Sequence, residues 1–258
     1  MLELNQIYCG DCLELMKELD DGSVNLILCD LPYGTTACSW DTIIPFEPLW
    51  AAYKRIIKPN GAIVLTASQP FTTALIASNM KMFKYEWIWE KSMPSNFALA
   101  NRQPMKYHEN IIVFYSKQPT YNKVMTARSD AGKEHFKRNC SVLAGTKQSN
   151  HINSSFVNDG KRRFYDKDKV NPKSVLRFGS VPNCNGTKQH PTQKPVALMA
   201  YLIRTYTNKG ELVLDNCAGS GTTGVAAKEL NRKFILIEQE QDYCDIANER
   251  LGQEVLGL

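Results

Sequence analysis

The run Val24-Asn25-Leu26-Ile27-Leu28-Cys29-Asp30-Leu31-Pro32-Tyr33-Gly34 is apolar until it stops at a carboxylate, a ring-constrained proline and an aromatic side chain. A stretch this rich in Val, Leu and Ile reads as a strand buried on both faces, as strands of parallel sheets are. Helical patterns lie before and after it, which fits an α/β chain whose ligands sit beyond the carboxyl ends of the strands. Asp30 to Tyr33 stand at that end.

A carboxylate and a loop carbonyl accept hydrogen bonds, and Tyr33 adds a flat face and a hydroxyl. Two acceptors beside an aromatic plate suit a planar ring with an exocyclic amine, such as adenine N6 or cytosine N4. Holding both amino hydrogens biases the nitrogen toward an attacking geometry. The same residues also make an ordinary Asx-Pro turn, so this stretch alone leaves both readings open.

A second motif lies far downstream. Leu212-Val213-Leu214-Asp215 is a short apolar strand, followed by Asn216-Cys217-Ala218-Gly219-Ser220-Gly221-Thr222-Thr223-Gly224 and a helical pattern from Val225 to Leu230. Strand, glycine-rich turn and helix make a cofactor cradle: glycine permits the tight turn, and free N–H groups at the helix start attract an anionic group. The next strand, Phe234 to Ile237, ends at Glu238, the spacing at which an acid reaches ribose hydroxyls. Gly219 to Gly224 also fits G-x-G-x-x-G, which by itself is weak evidence for a dinucleotide.

Asp30-Leu31-Pro32-Tyr33 resembles the catalytic D-P-P-Y motif, and Asp215 to Thr223 the D-P-F-x-G-S-G-T-T cofactor motif, of amino-group-specific DNA methyltransferases. Catalytic motif first and cofactor motif last resembles the beta class of that family. His190-Pro191-Thr192-Gln193-Lys194-Pro195 is similar to the segment that precedes the family's cofactor strand, and Gly10-Asp11-Cys12 to the motif that meets the cofactor adenine. Two departures stand out. Leu31 replaces a proline but still offers its carbonyl, without the fixed φ. Asn216-Cys217 replaces Pro-Phe, which removes aromatic wall area and no polar group.

The resemblance implies a circularly permuted Rossmann-like fold with a mostly parallel seven-stranded sheet. It implies S-adenosyl-L-methionine as cofactor, with Ala218, Gly219, Ser220, Gly221, Thr222, Thr223 and Lys194 around the methionine part. Glu238 would hold the ribose, Asp11 and Cys12 the adenine, and Asp215 would orient the turn. A base flipped from the duplex would lie against Tyr33, its amine held by Asp30 and the Leu31 carbonyl, with Pro32 in the same catalytic motif. Aspartate at position 30 favours adenine N6, because the family's cytosine N4 members usually carry serine there. Glu90 to Phe97 is similar to a segment lining the target pocket, so Lys91, Asn96 and Phe97 are candidates for touching the base.

The 258 residues suffice for one sizeable core with an insertion. No long apolar span or secretory leader is visible, and Met1 to Leu15 holds three acids and no basic side chain, so a soluble cytoplasmic protein without membrane association is expected. Eight cysteines are scattered, and only Cys9 and Cys12 have C-x-x-C spacing; no metal site is expected. No Pro-Cys pair occurs, against the cysteine-nucleophile chemistry used on cytosine carbon 5.

Strands are expected at Leu4 to Cys9, Ala62 to Thr66, Tyr85 to Trp89 and Glu109 to Tyr115. Helices are expected at Cys12 to Leu19, Phe46 to Ile57, Pro70 to Ser78 and Val196 to Tyr206. The pattern dissolves between Lys117 and Lys188, where 15 Lys and Arg face 5 Asp and Glu: this segment is near +10 and the rest of the chain near −5. Lys161-Arg162-Arg163 beside Phe164 and Tyr165 places aromatics in a basic cluster, suited to phosphates. The expected organisation is therefore a catalytic part at 1–117, a basic target-recognition insertion at 118–188 and the cofactor part at 189–258. Double-stranded DNA is the expected partner; a homodimer and a cognate restriction endonuclease are associations the class allows. Two other classes compete. A nicotinamide-dependent oxidoreductase explains the glycines but not Asp215 or Asp30 to Tyr33, and a non-catalytic DNA-binding protein leaves the cradle idle.

Overall fold

The computed structural model describes residues 2–35, 41–135, 168–181 and 193–252. They divide into two units, Met1–Asn122 with Ser174–Leu258, and Lys123–Lys173. In chain order the first unit holds β1 (Gln6–Cys9), α1 (Cys12–Leu15), β2 (Val24–Asp30), α2 (Phe46–Ile56), β3 (Ile57–Ala67), α3 (Phe71–Ser78), β4 (Phe83–Ser95) and β5 (Lys106–Phe114). The second unit holds β6 (Thr126–Ala127) and β7 (Lys169–Val170), a short antiparallel pair. The first unit resumes with β8 (Val175–Phe178), α4 (Val196–Tyr206), β9 (Leu212–Asp215), α5 (Thr222–Glu229), β10 (Lys233–Glu238) and α6 (Gln241–Gly252).

One sheet runs β1-β10-β9-β2-β3-β5-β4-β8. Among the described pairings of this sheet, only β3–β5 and β5–β4 are antiparallel. Strands from the two ends of the sequence meet at its centre, where β2 pairs in parallel with β9 through Leu26↔Val213 and Ile27↔Leu214. That seam is the permuted order expected from the motifs.

Alternation along the strands sends side chains to two separate cores. Ile27, Cys29, Ile63 and Leu65 join Leu49, Tyr53 and Ile56 of α2 and Leu75 of α3 on one face. Leu26, Leu28, Val64 and Val213 join Leu198, Leu202 and Tyr206 of α4 and Ala226 of α5 on the other. Because both faces are covered there, the middle stretches Leu26 to Cys29 and Ala62 to Leu65 are apolar without a break.

Among the described residues the sheet has eight strands where the sequence suggested seven. The extra one, β8, lies inside the charged stretch 118–188 and adds in parallel to the edge beside β4, Ile88 opposite Val175 and Lys91 opposite Phe178. Only Leu176 of its four residues is buried, so an edge position with Arg177 facing out left no apolar run to read. No described helix is long and apolar enough to cross a membrane.

Candidate active site

β2 ends at Asp30, and the chain continues over the carboxyl edge of the sheet. Asp30 Oδ1 accepts from the Tyr33 hydroxyl at 2.7 Å and from the Thr66 hydroxyl on β3; Oδ2 accepts from Lys194 Nζ. Tyr33 is stacked on Phe71, ring centroids 5.2 Å apart and planes 26° apart. Burial, and secondarily the Asp30 charge, pushes the Tyr33 phenol well up, so its hydroxyl stays a donor. The next turn is held by Asp41, whose two oxygens accept from Gly34 N and Thr35 N, each at 2.9 Å.

The glycine-rich turn is built the same way, around a carboxylate at a strand end. Asp215 accepts from Cys217 N at 3.2 Å and Thr223 Oγ1 at 2.6 Å. Its complete burial raises its pKa to about 6. Gly221 caps α5 at φ 76°, and a Cβ there would lie 2.8 Å from Ala247 Cβ; only glycine suits both the left-handed backbone and the close approach. Glu238 Oε2 accepts from Gly219 N at 2.6 Å and ties the end of β10 to the turn. Asp11 caps α1 through Leu13 N and Glu14 N.

Both ends open into one cavity of about 1130 Å³. That exceeds the ~300–1,000 Å³ of a pocket for one drug-sized ligand. Of the residues singled out from sequence, all four of Asp30 to Tyr33 line it, as do Asp11, Cys12, Lys194, Asp215, Ala218, Gly219, Ser220, Thr222, Thr223 and Glu238. Gly221 sits behind as the helix cap. A positive helix start, glycines beside it and an acid one strand away fit a nucleoside cofactor with an anionic tail.

Lys91 lines the cavity too, with Nζ 3.1 Å from Glu109 Oε1. Asn96 does not line it. It takes φ 65° in the connection after β4 and accepts from Lys106 N at 2.8 Å, which makes it a turn former. Phe97 reaches the rim, 60% exposed. Lys161, Arg162 and Arg163 lie outside the described residues.

Three residues of the site were not singled out from sequence. Thr66, a polar residue ending a buried strand, supports Asp30. Tyr53 of α2 donates to Asn216 Oδ1 at 2.6 Å. Glu109, heading the apolar run of β5, lies 3.5 Å from Lys194 Nζ. Burial opposes the charge on Lys194, but Asp30 and Glu109 outweigh it and raise its pKa. For Glu109 burial works upward, and Lys194 and Lys91 overcome it and lower the pKa. An acid that opens a buried strand was the one available signal. Among the described residues no group of three or more His, Cys, Asp or Glu is placed to hold a metal.

The Type II methyltransferase M.HpaI of Haemophilus parainfluenzae is 28% identical over 267 residues, covering 98% of this chain and 76% of that protein. Among solved structures, the M1.HpyAVI–SAM complex has a TM-score of 0.61 at 24% identity, covering 96% of this chain and 99% of that one. The cytosine-N4-specific PvuII DNA methyltransferase has a TM-score of 0.66 at 17% identity, covering 97% and 87%. These two share the fold. Residues 24–249, which include both motifs and the seam between them, match the DNA methylase family N6_N4_Mtase, and the chain belongs to that family.

Proposed function

We propose that this DNA methylase is a Type II enzyme that methylates the exocyclic N6 of adenine, with the target base turned out of the duplex into the cavity. S-adenosylmethionine is the cofactor of the family and, when bound, supplies an electrophilic methyl group on a sulfonium. The turn Ala218 to Thr223 would hold its methionine part, Glu238 its ribose, and Asp11 with the Cys12 backbone its adenine. Asp30 and the Leu31 carbonyl would hold the target's amino hydrogens, and Tyr33 would lie against the base.

The observation that carries this reading is Asp30. It ends the central strand one step across the seam from the cofactor strand, and Tyr33, Thr66 and Lys194 fix its carboxylate at the floor of a cavity shared with the glycine turn. An ionised acceptor gains most where positive charge develops on the amine nitrogen. Double-stranded DNA is the proposed substrate, and the basic stretch between 118 and 188, most of it outside the described residues, is the proposed phosphate-binding region. The N6 assignment rests on aspartate standing where cytosine enzymes of the family usually carry serine. Incubation with unmethylated DNA and the labelled cofactor, followed by hydrolysis and mass separation of the nucleosides, tests it. N6-methyladenine is expected; N4-methylcytosine would overturn the base assignment, and no methylated nucleoside would overturn the activity.

A further inference from the structure

Asp30, Glu109, Lys91 and Lys194 form a charge-balanced cluster in the cavity, with side-chain exposures of 21%, 16%, 8% and 7%. Asp30 Oδ1 already takes two donors, Tyr33 and Thr66, and so its lone pairs are used. An incoming amine must therefore use Oδ2, where Lys194 sits. Glu109 shows the opposite asymmetry. Its Oε1 holds Lys91 at 3.1 Å, while its Oε2 is buried, takes no hydrogen bond from any described residue, and lies 3.5 Å from Lys194 Nζ.

We propose that Glu109 is a positioning residue of the transfer reaction: its Oε2 takes over the Lys194 ammonium when the target's amino group claims Asp30 Oδ2. The proposal rests on the reading of Asp30 as the group that grips the amine. As the amine attacks, positive charge builds on its nitrogen, and an ammonium on the same carboxylate oxygen would repel that charge. Shortening the Glu109 contact from 3.5 Å to a charge-assisted hydrogen bond of about 2.8 Å is a move of less than about 1 Å. A lysine stem makes such a move by small torsions. Lys91 keeps the receiving carboxylate ionised, so the net charge of the cluster is unchanged throughout.

The test compares wild type, E109Q, K194M and E109Q/K194M in transfer from labelled S-adenosylmethionine to unmethylated DNA, with cofactor affinity measured by calorimetry. E109Q is expected to lower the maximal rate about a hundredfold while leaving the cofactor Kd and the KM for DNA unchanged. At saturating cofactor the double variant is expected to be faster than E109Q, because the ammonium left on Asp30 is gone. A wild-type rate in E109Q, a loss of cofactor affinity in it, or a double variant no faster than E109Q would overturn the proposal. E109D keeps the charge one methylene further away and is expected to be intermediate; if E109Q does not fold, a wild-type rate in E109D overturns the proposal in its place. D30A, run in parallel, separates the two readings. An active D30A removes the role of Asp30, whereas an inactive D30A beside a fully active E109Q removes only that of Glu109.

Discussion

The Tyr53 hydroxyl, on the helix that follows the Asp30–Tyr33 loop, donates to Asn216 Oδ1 in the glycine-rich turn at 2.6 Å, across 163 positions of sequence. Both groups are buried, so the bond fastens α2 to the glycine-rich turn. Tyr53→Phe keeps the ring in its core and leaves the Asn216 oxygen without this donor. The expected cost is about 1–3 kcal/mol of stability, with weaker cofactor binding, read by denaturant unfolding and calorimetric titration. Unchanged values in both would show that the turn holds its shape without this tie.

Asp30→Ala should bind cofactor and DNA but lose methyl transfer by about two to three orders of magnitude, the scale set by removing one preorganised acceptor from developing charge. Thr66→Val preserves shape and deletes one donor to the same carboxylate. It should reduce the rate less, by about tenfold, the equivalent of ~1.4 kcal/mol. Single-turnover transfer assays rank the two.

Glycine 221 and glycine 210 both have positive φ, 76° and 80°, but a Cβ at 210 would meet nothing within 4 Å. Gly210→Ala should therefore cost only the left-handed backbone penalty, about 1–2 kcal/mol. Gly221→Ala adds the collision with Ala247 and should cost clearly more, together with cofactor affinity. Equal losses in thermal unfolding would show that Ala247 and α6 yield freely.

Asp215 gives a pH signature. Its pKa rises from 3.8 to about 6 on folding because it is buried. The folded state thus binds this proton more tightly than the unfolded one. Its contribution is fully present below about pH 4 and lost as pH climbs through about 6. The full swing is about 3 kcal/mol. Relative to Asp215→Asn, the wild type should gain stability as pH falls from 7 to 4, measured as denaturant midpoints. A pH-independent difference between the two proteins would contradict the burial argument.

The parallel sheet was legible because the stretches of strand covered on both faces must be continuously apolar, as Leu26 to Cys29 and Leu212 to Leu214 are. The two strand-end motifs were legible because acid, proline, tyrosine and glycine at fixed offsets dictate local backbone and local hydrogen bonds. What could not be read was pairing at a distance. Lys194 meets Asp30 across 164 positions, and Lys91 meets Glu109 from a neighbouring strand; no periodicity encodes either. Asn96 shows what else the sequence leaves unread: its φ of 65° and its bond from Lys106 N are turn chemistry that an amide in a polar stretch does not announce. The edge strand at Val175 was hidden because one buried leucine among four residues leaves no pattern.

The seam between β2 and β9 also bears on how the molecule comes into being. Leu26 and Ile27 find their neighbours on that side in Val213 and Leu214, so a chain emerging from the ribosome carries this strand with that flank bare until β9, 187 positions further on, has been made. Such an open flank invites adhesion to other nascent chains. Late closure of the sheet is then expected to compete with clumping, so that low temperature or a holding chaperone should raise the yield of competent protein.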